Sequence, residues 1–171
     1  MPLHLRECDT ADLKTLVKIS KETFAAAFEK DNNPEDFSTY IQEAFHPKKL
    51  KRELSDNNSR FHFVYDDENL VGYFKLNINV AQTDVDDPNA LEIERIYVLG
   101  DHQGKKIGAW MLHQIIVLAK SLGKEFIWLG VWEHNPKAIS FYQRHGFKKF
   151  DEHPYFIGSD KQTDWLLRLE L

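Results

Sequence analysis

At 171 residues, with 42% hydrophobic and 29% charged residues, the chain is long enough for one well-packed domain and has the composition of an ordinary soluble globular protein. A formal net charge of −5 gives no support to a nucleic-acid partner, and no apolar run is long enough to span a bilayer. Cys8 is the sole cysteine, which excludes an intrachain disulfide, and the absence of an export signal makes the cytoplasm the expected compartment.

Leu3–Glu7 alternates as a short strand. Asp9 or Thr10 is placed to cap a helix whose apolar side carries Leu13, Leu16, Val17, Ile19, Ser20, Phe24 and Phe28. Asp31-Asn32-Asn33-Pro34 breaks that helix, and residues 34–45 read as a second one, with Phe37, Tyr40, Ile41 and Phe45 on one side. Pro47 opens a third, short helix. Its Lys48, Lys49, Lys51 and Arg52 have acids nearby and make only a weak basic patch. Residues 60–65 and 70–78 read as strands joined by the turn Asp66-Asp67-Glu68-Asn69. Residues 80–90 form a polar loop with Asp84, Asp86 and Asp87, which is either solvated or an acidic rim for a cationic substrate.

The stretch from 91 to 147 carries most of the information. Residues 91–98 alternate, so Leu91, Ile93, Arg95 and Tyr97 are expected on one face of a strand and Glu92, Glu94, Ile96 and Val98 on the other. Gly100-Asp101-His102 is a turn. From Gly104 the period becomes helical, with Ile107, Met111, Ile115, Leu118 and Leu122 recurring until Gly123. Residues 126–132 are almost continuously apolar, as in a strand buried on both faces. Strand, helix and buried strand predict a parallel pair with a right-handed crossover.

The first turn of that long helix reads Gln103-Gly104-Lys105-Lys106-Ile107-Gly108. Unpaired N–H groups and the positive end of the helix dipole meet there, so the turn can hold a phosphate; it can equally be a glycine-containing loop with solvated lysines. A P-loop is absent, and the spacing of a dinucleotide fingerprint is not met. Further on, Asn135-Pro136 combines a good N-cap with a favoured first helical residue. Ala138, Phe141, Tyr142 and His145 are expected to share the sheet-facing side of the helix that follows, and Gly146 ends it. Read alone, Tyr142 is a core aromatic with a bonded hydroxyl. Residues 148–157 and 163–171 complete the chain as two strands around Gly158-Ser159-Asp160. The expected architecture is a single α/β domain over residues 1–171, a mixed sheet of about seven strands with helices on both faces.

Arg95-Ile96-Tyr97-Val98, then Gln103-Gly104-Lys105-Lys106-Ile107-Gly108, then Asn135, Ala138, Tyr142 and Gly146-Phe147 resemble the GNAT family of N-acetyltransferases in order and spacing together. LEIERIYV, IWLGVWE and NPKAISFYQRHGF are similar to the PaiA-type polyamine acetyltransferases within it. The resemblance spans nearly the whole chain. It implies that acetyl-CoA lies between two splayed strands, the one holding Tyr97 and the one holding Trp128. Pantetheine would pair with backbone at Ile96, Tyr97 and Val98. The pyrophosphate would sit on the amides of Gln103, Gly104, Lys105, Lys106, Ile107, Gly108 and Ala109, with Asn135 and Tyr142 beside the thiol. One departure is Lys106, where the family pattern usually has Gly; a left-handed backbone is harder to reach there.

The same resemblance implies transfer to an amine, with Tyr142 protonating the departing thiolate. An amine with a pKa of about 10.4 is neutral in only roughly one molecule in a thousand at pH 7, so a base is expected. Glu94, on the strand beside the thioester, is the favoured candidate, acting through water; Glu92 shares its face, and either could instead pair with an arginine or bind a cationic substrate. Phe24, Phe28 and Glu29 are candidates to line the acceptor pocket. The acceptor is expected to be a spermidine- or spermine-like amine, with another small amine, a protein amine, or a CoA-binding module without turnover as alternatives. A homodimer is compatible with this reading. There are eight histidines but no His-Glu-x-x-His and no cysteine pair, so no metal is expected.

Overall fold

The protein, described over residues 2–171 by a computed structural model, is organised by one seven-stranded sheet in the order β1-β2-β3-β4-β5-β7-β6. The strands are β1 (Leu3–Glu7), β2 (Ser59–Asp66), β3 (Asn69–Ile78), β4 (Ala90–Val98), β5 (Phe126–Trp132), β6 (Lys148–Ile157) and β7 (Asp160–Glu170). Neighbouring strands are antiparallel except β4 and β5, the parallel pair expected from the sequence. The crossover between those two carries α4 (Ile107–Ser121).

The remaining helices are α1 (Leu13–Phe28), α2 (Pro34–Ala44), α3 (Pro47–Leu54) and α5 (Pro136–Arg144). α2, α3 and α5 start alike, on a capping side chain followed by proline. Asn33 Oδ1 accepts from Glu35 N at 3.0 Å, His46 Nδ1 from Lys48 N at 3.1 Å and Asn135 Oδ1 from Ala138 N at 3.3 Å. Each cap is worth about 1 kcal/mol, and the proline gives up no useful N–H. Asp9 caps a single 3-10 turn, Thr10–Asp12, that leads into α1.

The helices divide between the two faces. Leu16, Ile19 and Phe24 of α1, Phe37 of α2 and Leu50 of α3 are buried against Phe61, Phe63 and Tyr73 of the sheet. On the other side Ile107, Met111 and Ile115 of α4 and Ile139 and Tyr142 of α5 are buried against Val64, Phe74, Leu76, Leu91 and Ile93. At about 1.5–3 kcal/mol per fully buried large apolar side chain, these two layers supply most of the driving force. Of the set expected to face the sheet from α5, Tyr142 is buried and Ala138 and Phe141 pack half-buried against the same core, whereas His145 is exposed and Ile139 is buried in its place. Helix α4 begins at Ile107 rather than Gly104, so the glycine-lysine turn stands ahead of the helix.

The alternation expected for β4 fails in the middle, for a local reason. Leu76 lies opposite Ile93 and Lys75 opposite Arg95, so Glu94 is an extra residue, a β-bulge. The bulge resets the phase. Leu91 and Ile93 share one apolar layer with Ile96 and Val98, whereas Arg95 lies over the Phe45 ring and Tyr97 stacks on Tyr73 in the other layer. Glu94 and Ile96 are therefore on opposite faces, contrary to the period-two reading. Gly72 allows the close approach of β3 that accompanies this: a Cβ there would lie 2.6 Å from the Tyr97 carbonyl oxygen.

Candidate active site

β4 and β5 pair only through Ala90–Phe126, Leu91–Ile127 and Glu92–Trp128. Beyond Glu92 the strands separate, and a cavity of about 430 Å³ opens where the sheet has split. Ile93, Glu94, Arg95, Ile96 and Tyr97 line it from β4; Trp128, Leu129, Gly130, Val131 and Trp132 line it from β5. Asn135, Ala138 and Tyr142 close one side, Phe24, Phe28 and Tyr40 the other, and His153, Tyr155 and Asp164 approach from β6 and β7.

The β4 wall is tightly bonded. Lys75 Nζ lies 2.9 Å from Glu94 Oε2 and 2.6 Å from Glu53 Oε1. Asn77 Nδ2 donates to Glu94 Oε1 at 3.0 Å and to Glu92 Oε1 at 2.9 Å, and Arg95 Nε donates to Glu94 Oε2 at 3.2 Å. Burial alone would raise the Glu94 carboxyl, but the charges of Lys75 and Arg95 and the bonds from Lys75 and Asn77 outweigh it and hold the group at about 2. Glu92 is 3% exposed and accepts from Thr83 N at 3.0 Å and Thr83 Oγ1 at 2.7 Å as well. Burial raises its pKa against those bonds.

The opposite wall is sparsely bonded. Asp164 carries no side-chain hydrogen bond or ion pair among the described residues, although it is mostly buried. Burial pushes its carboxyl up to about 6; His153 opposes that rise and Asp84 adds to it. His153 Nδ1 and Asp84 Oδ1 are 3.2 Å apart, so the loop before β4 reaches β6 across the mouth of the cavity. Trp128 Nε1 donates to Gln82 Oε1 at 2.7 Å and fixes the same loop. Among the described residues no three His, Cys, Asp or Glu side chains are grouped as a metal site.

Tyr142 is 9% exposed, with its ring edge-on to Phe141 and Phe147 and its side chain on the cavity. Burial drives its phenol well above the ordinary value, which keeps the hydroxyl protonated and able to donate. Past the end of β4, the backbone N–H groups of residues 104–109 have no acceptor among the described residues; the first bonded amide is Trp110 N, to Lys106 O at 3.2 Å. Gly104 has φ +81° and open space around it. Lys106 takes the left-handed conformation, φ 63°, without being glycine. Gln103 Nε2 donates to Val98 O at 3.1 Å and ties this turn to the strand.

The fold thus brings Glu94, Ile96, Tyr97, Asn135 and Tyr142 to one cavity. Val98, Gln103, Gly104, Lys105, Lys106, Ile107, Gly108 and Ala109 lie beyond its end, on the strand terminus and the turn leading into α4. Phe24 and Phe28 line the cavity; Glu29 does not. Sequence reasoning missed Asp164, His153, Tyr155 and Trp132. Asp164 left one signal: a lone carboxylate entering the apolar run Trp165-Leu166-Leu167, on a strand paired on both sides.

Comparison with known proteins agrees with this geometry. The model of the acetyltransferase (GNAT) family matches residues 17–147. An uncharacterized N-acetyltransferase in the pepI 3' region of Lactobacillus delbrueckii subsp. lactis is 40% identical over 160 residues, covering 94% of this chain and 92% of the relative. The spermidine N(1)-acetyltransferase of Thermoplasma acidophilum is 26% identical over 155 residues, covering 88% and 91%. The crystal structure of PaiA N-acetyltransferase from Thermoplasma acidophilum in complex with coenzyme A superposes with a TM-score of 0.80 at 24% identity, over 100% of both chains. A sheet split between its parallel strands, an unbonded helix N-terminus beside the split and a family match over most of the chain identify this protein as an acetyltransferase of the GNAT family.

Proposed function

We propose that the protein transfers acetyl from acetyl-CoA to a primary amine of a spermidine- or spermine-like polyamine. The observation that carries this reading is the cavity at the β4–β5 split, with the Tyr142 hydroxyl on one side and Asp84, Glu92, Glu94 and Asp164 around the other. Acid-rich walls suit a polycation, and the Thermoplasma relative is named for spermidine.

The free amides of residues 104–109 fit a diphosphate, and the exposed Lys105 and Lys106 add positive charge beside them. Ile96, Tyr97 and Val98 offer backbone groups on the side of β4 that β5 has left, which suits the extended pantetheine arm. When bound, the coenzyme supplies an activated thioester carbonyl. Backbone N–H groups at the splayed edge of β4 are positioned to donate to an oxygen that gains negative charge. Tyr142 would donate its phenolic proton to the departing sulfur; burial keeps the group protonated at neutral pH, while its raised pKa makes the transfer uphill until the thiolate charge develops. Asn135 shapes the adjoining turn through its cap on Ala138. Glu94 holds Arg95 and Lys75 in place as a fixed anion; a carboxyl at about 2 has little affinity for a proton at neutral pH. Transfer is direct. Cys8 follows the edge strand β1, well away from the split in strand order, and burial pushes its thiol up to about 12, which leaves almost no thiolate.

Thiol release from acetyl-CoA, followed over a panel of polyamines, amino acids, aminoglycosides and peptides, tests the reading. Polyamines should give the highest kcat/KM. Coenzyme A binding without release for any acceptor sinks it. Tyr142→Phe should lower kcat about a hundredfold and leave coenzyme affinity within a few-fold.

A further inference from the structure

Among the carboxylates on the cavity, Asp84 faces His153, Glu92 is bonded to Asn77 and Thr83, and Glu94 is bonded to Lys75, Asn77 and Arg95. Asp164 alone among them carries no hydrogen-bonding side chain in the described residues. It sits over Gly130: a Cβ placed on that glycine would lie 3.3 Å from Asp164 Oδ2. The missing side chain leaves the carboxylate open to the gap. Gly130 comes two residues after Trp128, the last β5 residue paired with β4, and Glu94 comes two residues after its partner Glu92. Asp164 itself is paired with Trp132, four residues past Trp128, on the strand behind β5, and its carboxylate leans back over Gly130 into the cavity that opens where β4 and β5 have parted.

On the acetyl-transfer reading above, we propose that Asp164 is the catalytic base that takes the proton from the bound acceptor ammonium. The N–H bond breaks toward the Asp164 carboxylate, and the freed lone pair forms the C–N bond to the thioester carbonyl carbon. The C–S bond breaks with its electron pair on sulfur, which the Tyr142 proton neutralises. The second N–H proton, acidified by the new C–N bond, passes to the Tyr142 phenolate and restores the phenol, and Asp164 returns the first proton to water as product leaves. The groups around Asp164 suit this. Its own burial disfavours the anion, Asp84 from the loop before β4 does so too, and His153 from β6 opposes them. β5 contributes no titratable side chain at Gly130 or Trp132, and Glu94 of β4 remains an anion across the gap. A carboxyl at about 6 is ionised at neutral pH yet binds a proton far better than one at about 2.

The test is the pH profile of kcat/KM for thiol release, with spermidine as acceptor, for the parent and for D164N and D164E. The parent profile should fall below about pH 6. D164N should lose about a hundredfold in kcat and lose that inflection, with coenzyme A affinity within twofold; D164E should keep the inflection at reduced rate. Side-chain carboxyl NMR on the free protein gives a second readout: a resonance titrating near 6 that disappears in D164N. A D164N enzyme within threefold of the parent with its inflection intact overturns the assignment, as does an Asp164 resonance titrating near 4. A parent that releases no thiol with any amine sinks the transfer reading and this assignment with it; an active parent matched by D164N sinks the assignment alone.

Discussion

The two walls of the cleft treat their carboxylates in opposite ways. On β4, Glu94 is bonded to two cations and an amide donor and sits at about 2; on β7, Asp164 has no bonded partner, only the more distant pull of His153, and sits at about 6. Both groups are largely buried, so desolvation acts on both and the bonding partners decide the sign. The β4 wall is satisfied and serves as a scaffold. The β7 wall retains a group that the fold would be more stable without, and such a group is expected to serve the reaction.

The largest expected effect comes from breaking the satisfied wall. E94Q removes the anion that Arg95 and Lys75 share, leaving only Glu53 on Lys75. Removing one partner of a buried pair costs about 3 kcal/mol, so the urea midpoint should drop sharply at pH 7. The sign with pH follows from the lowered folded value. Glu94 stabilises fully above its ordinary 4.5, and that contribution is lost as pH falls toward about 2. The gap between E94Q and the parent should therefore close in acid. An E94Q protein as stable as the parent at pH 7 would erase the contrast between the walls.

The opposite wall should respond with the opposite sign. Asp164 has a folded value near 6 against an ordinary 3.8, so ionising it costs stability, increasingly from about pH 4 and fully above about pH 6. D164N removes that cost. It should be more stable than the parent by about 3 kcal/mol at most at pH 8 and equal to it below pH 4, measured by denaturant titration. Lower stability for D164N at pH 8 would show that Asp164 is held by bonds and is no freer than Glu94.

The two walls were also unequally legible. The sheet, its parallel pair and the α4 crossover followed from period and length, because buried layers impose period two on strands and 3.6 on helices. The glycine-lysine turn, Asn135 and Tyr142 could be read because local rules for helix starts and a recognisable order of motifs fix them. The bulge at Glu94 could not be read. It depends on how β3 pairs, through Lys75 and Leu76, and no residue of β4 announces it. The bulge separates Tyr97 from Leu91 and Ile93, and Glu94 from Ile96, which strict alternation puts on shared faces. Asp164 could not be read because its meaning comes from Gly130 and the split beyond Trp128, both distant in sequence. The sheet-wide pattern survives single residues, whereas the site depends on contacts between segments that no local window contains.

The smallest effect asks whether a retained cost always serves function. Lys106 holds φ 63°, a conformation that costs a residue with a Cβ about 1–2 kcal/mol and that glycine adopts freely. K106G relieves that strain but loses unfolded-state order, so the net gain should be about 0.5 kcal/mol, a rise of about 1–2 °C in Tm. The lysine charge beside the free amides should attract a diphosphate, and an exposed charge is screened by salt. K106G should therefore bind coenzyme A several-fold more weakly at 20 mM salt than the parent, with the difference nearly gone at 500 mM, as read by calorimetry. If affinity is equal at both salts, the strain at Lys106 is kept for no ligand, and an unfavourable residue near the split is not by itself a sign of function. The assignment of Asp164 would then stand on its open geometry and its pH profile alone.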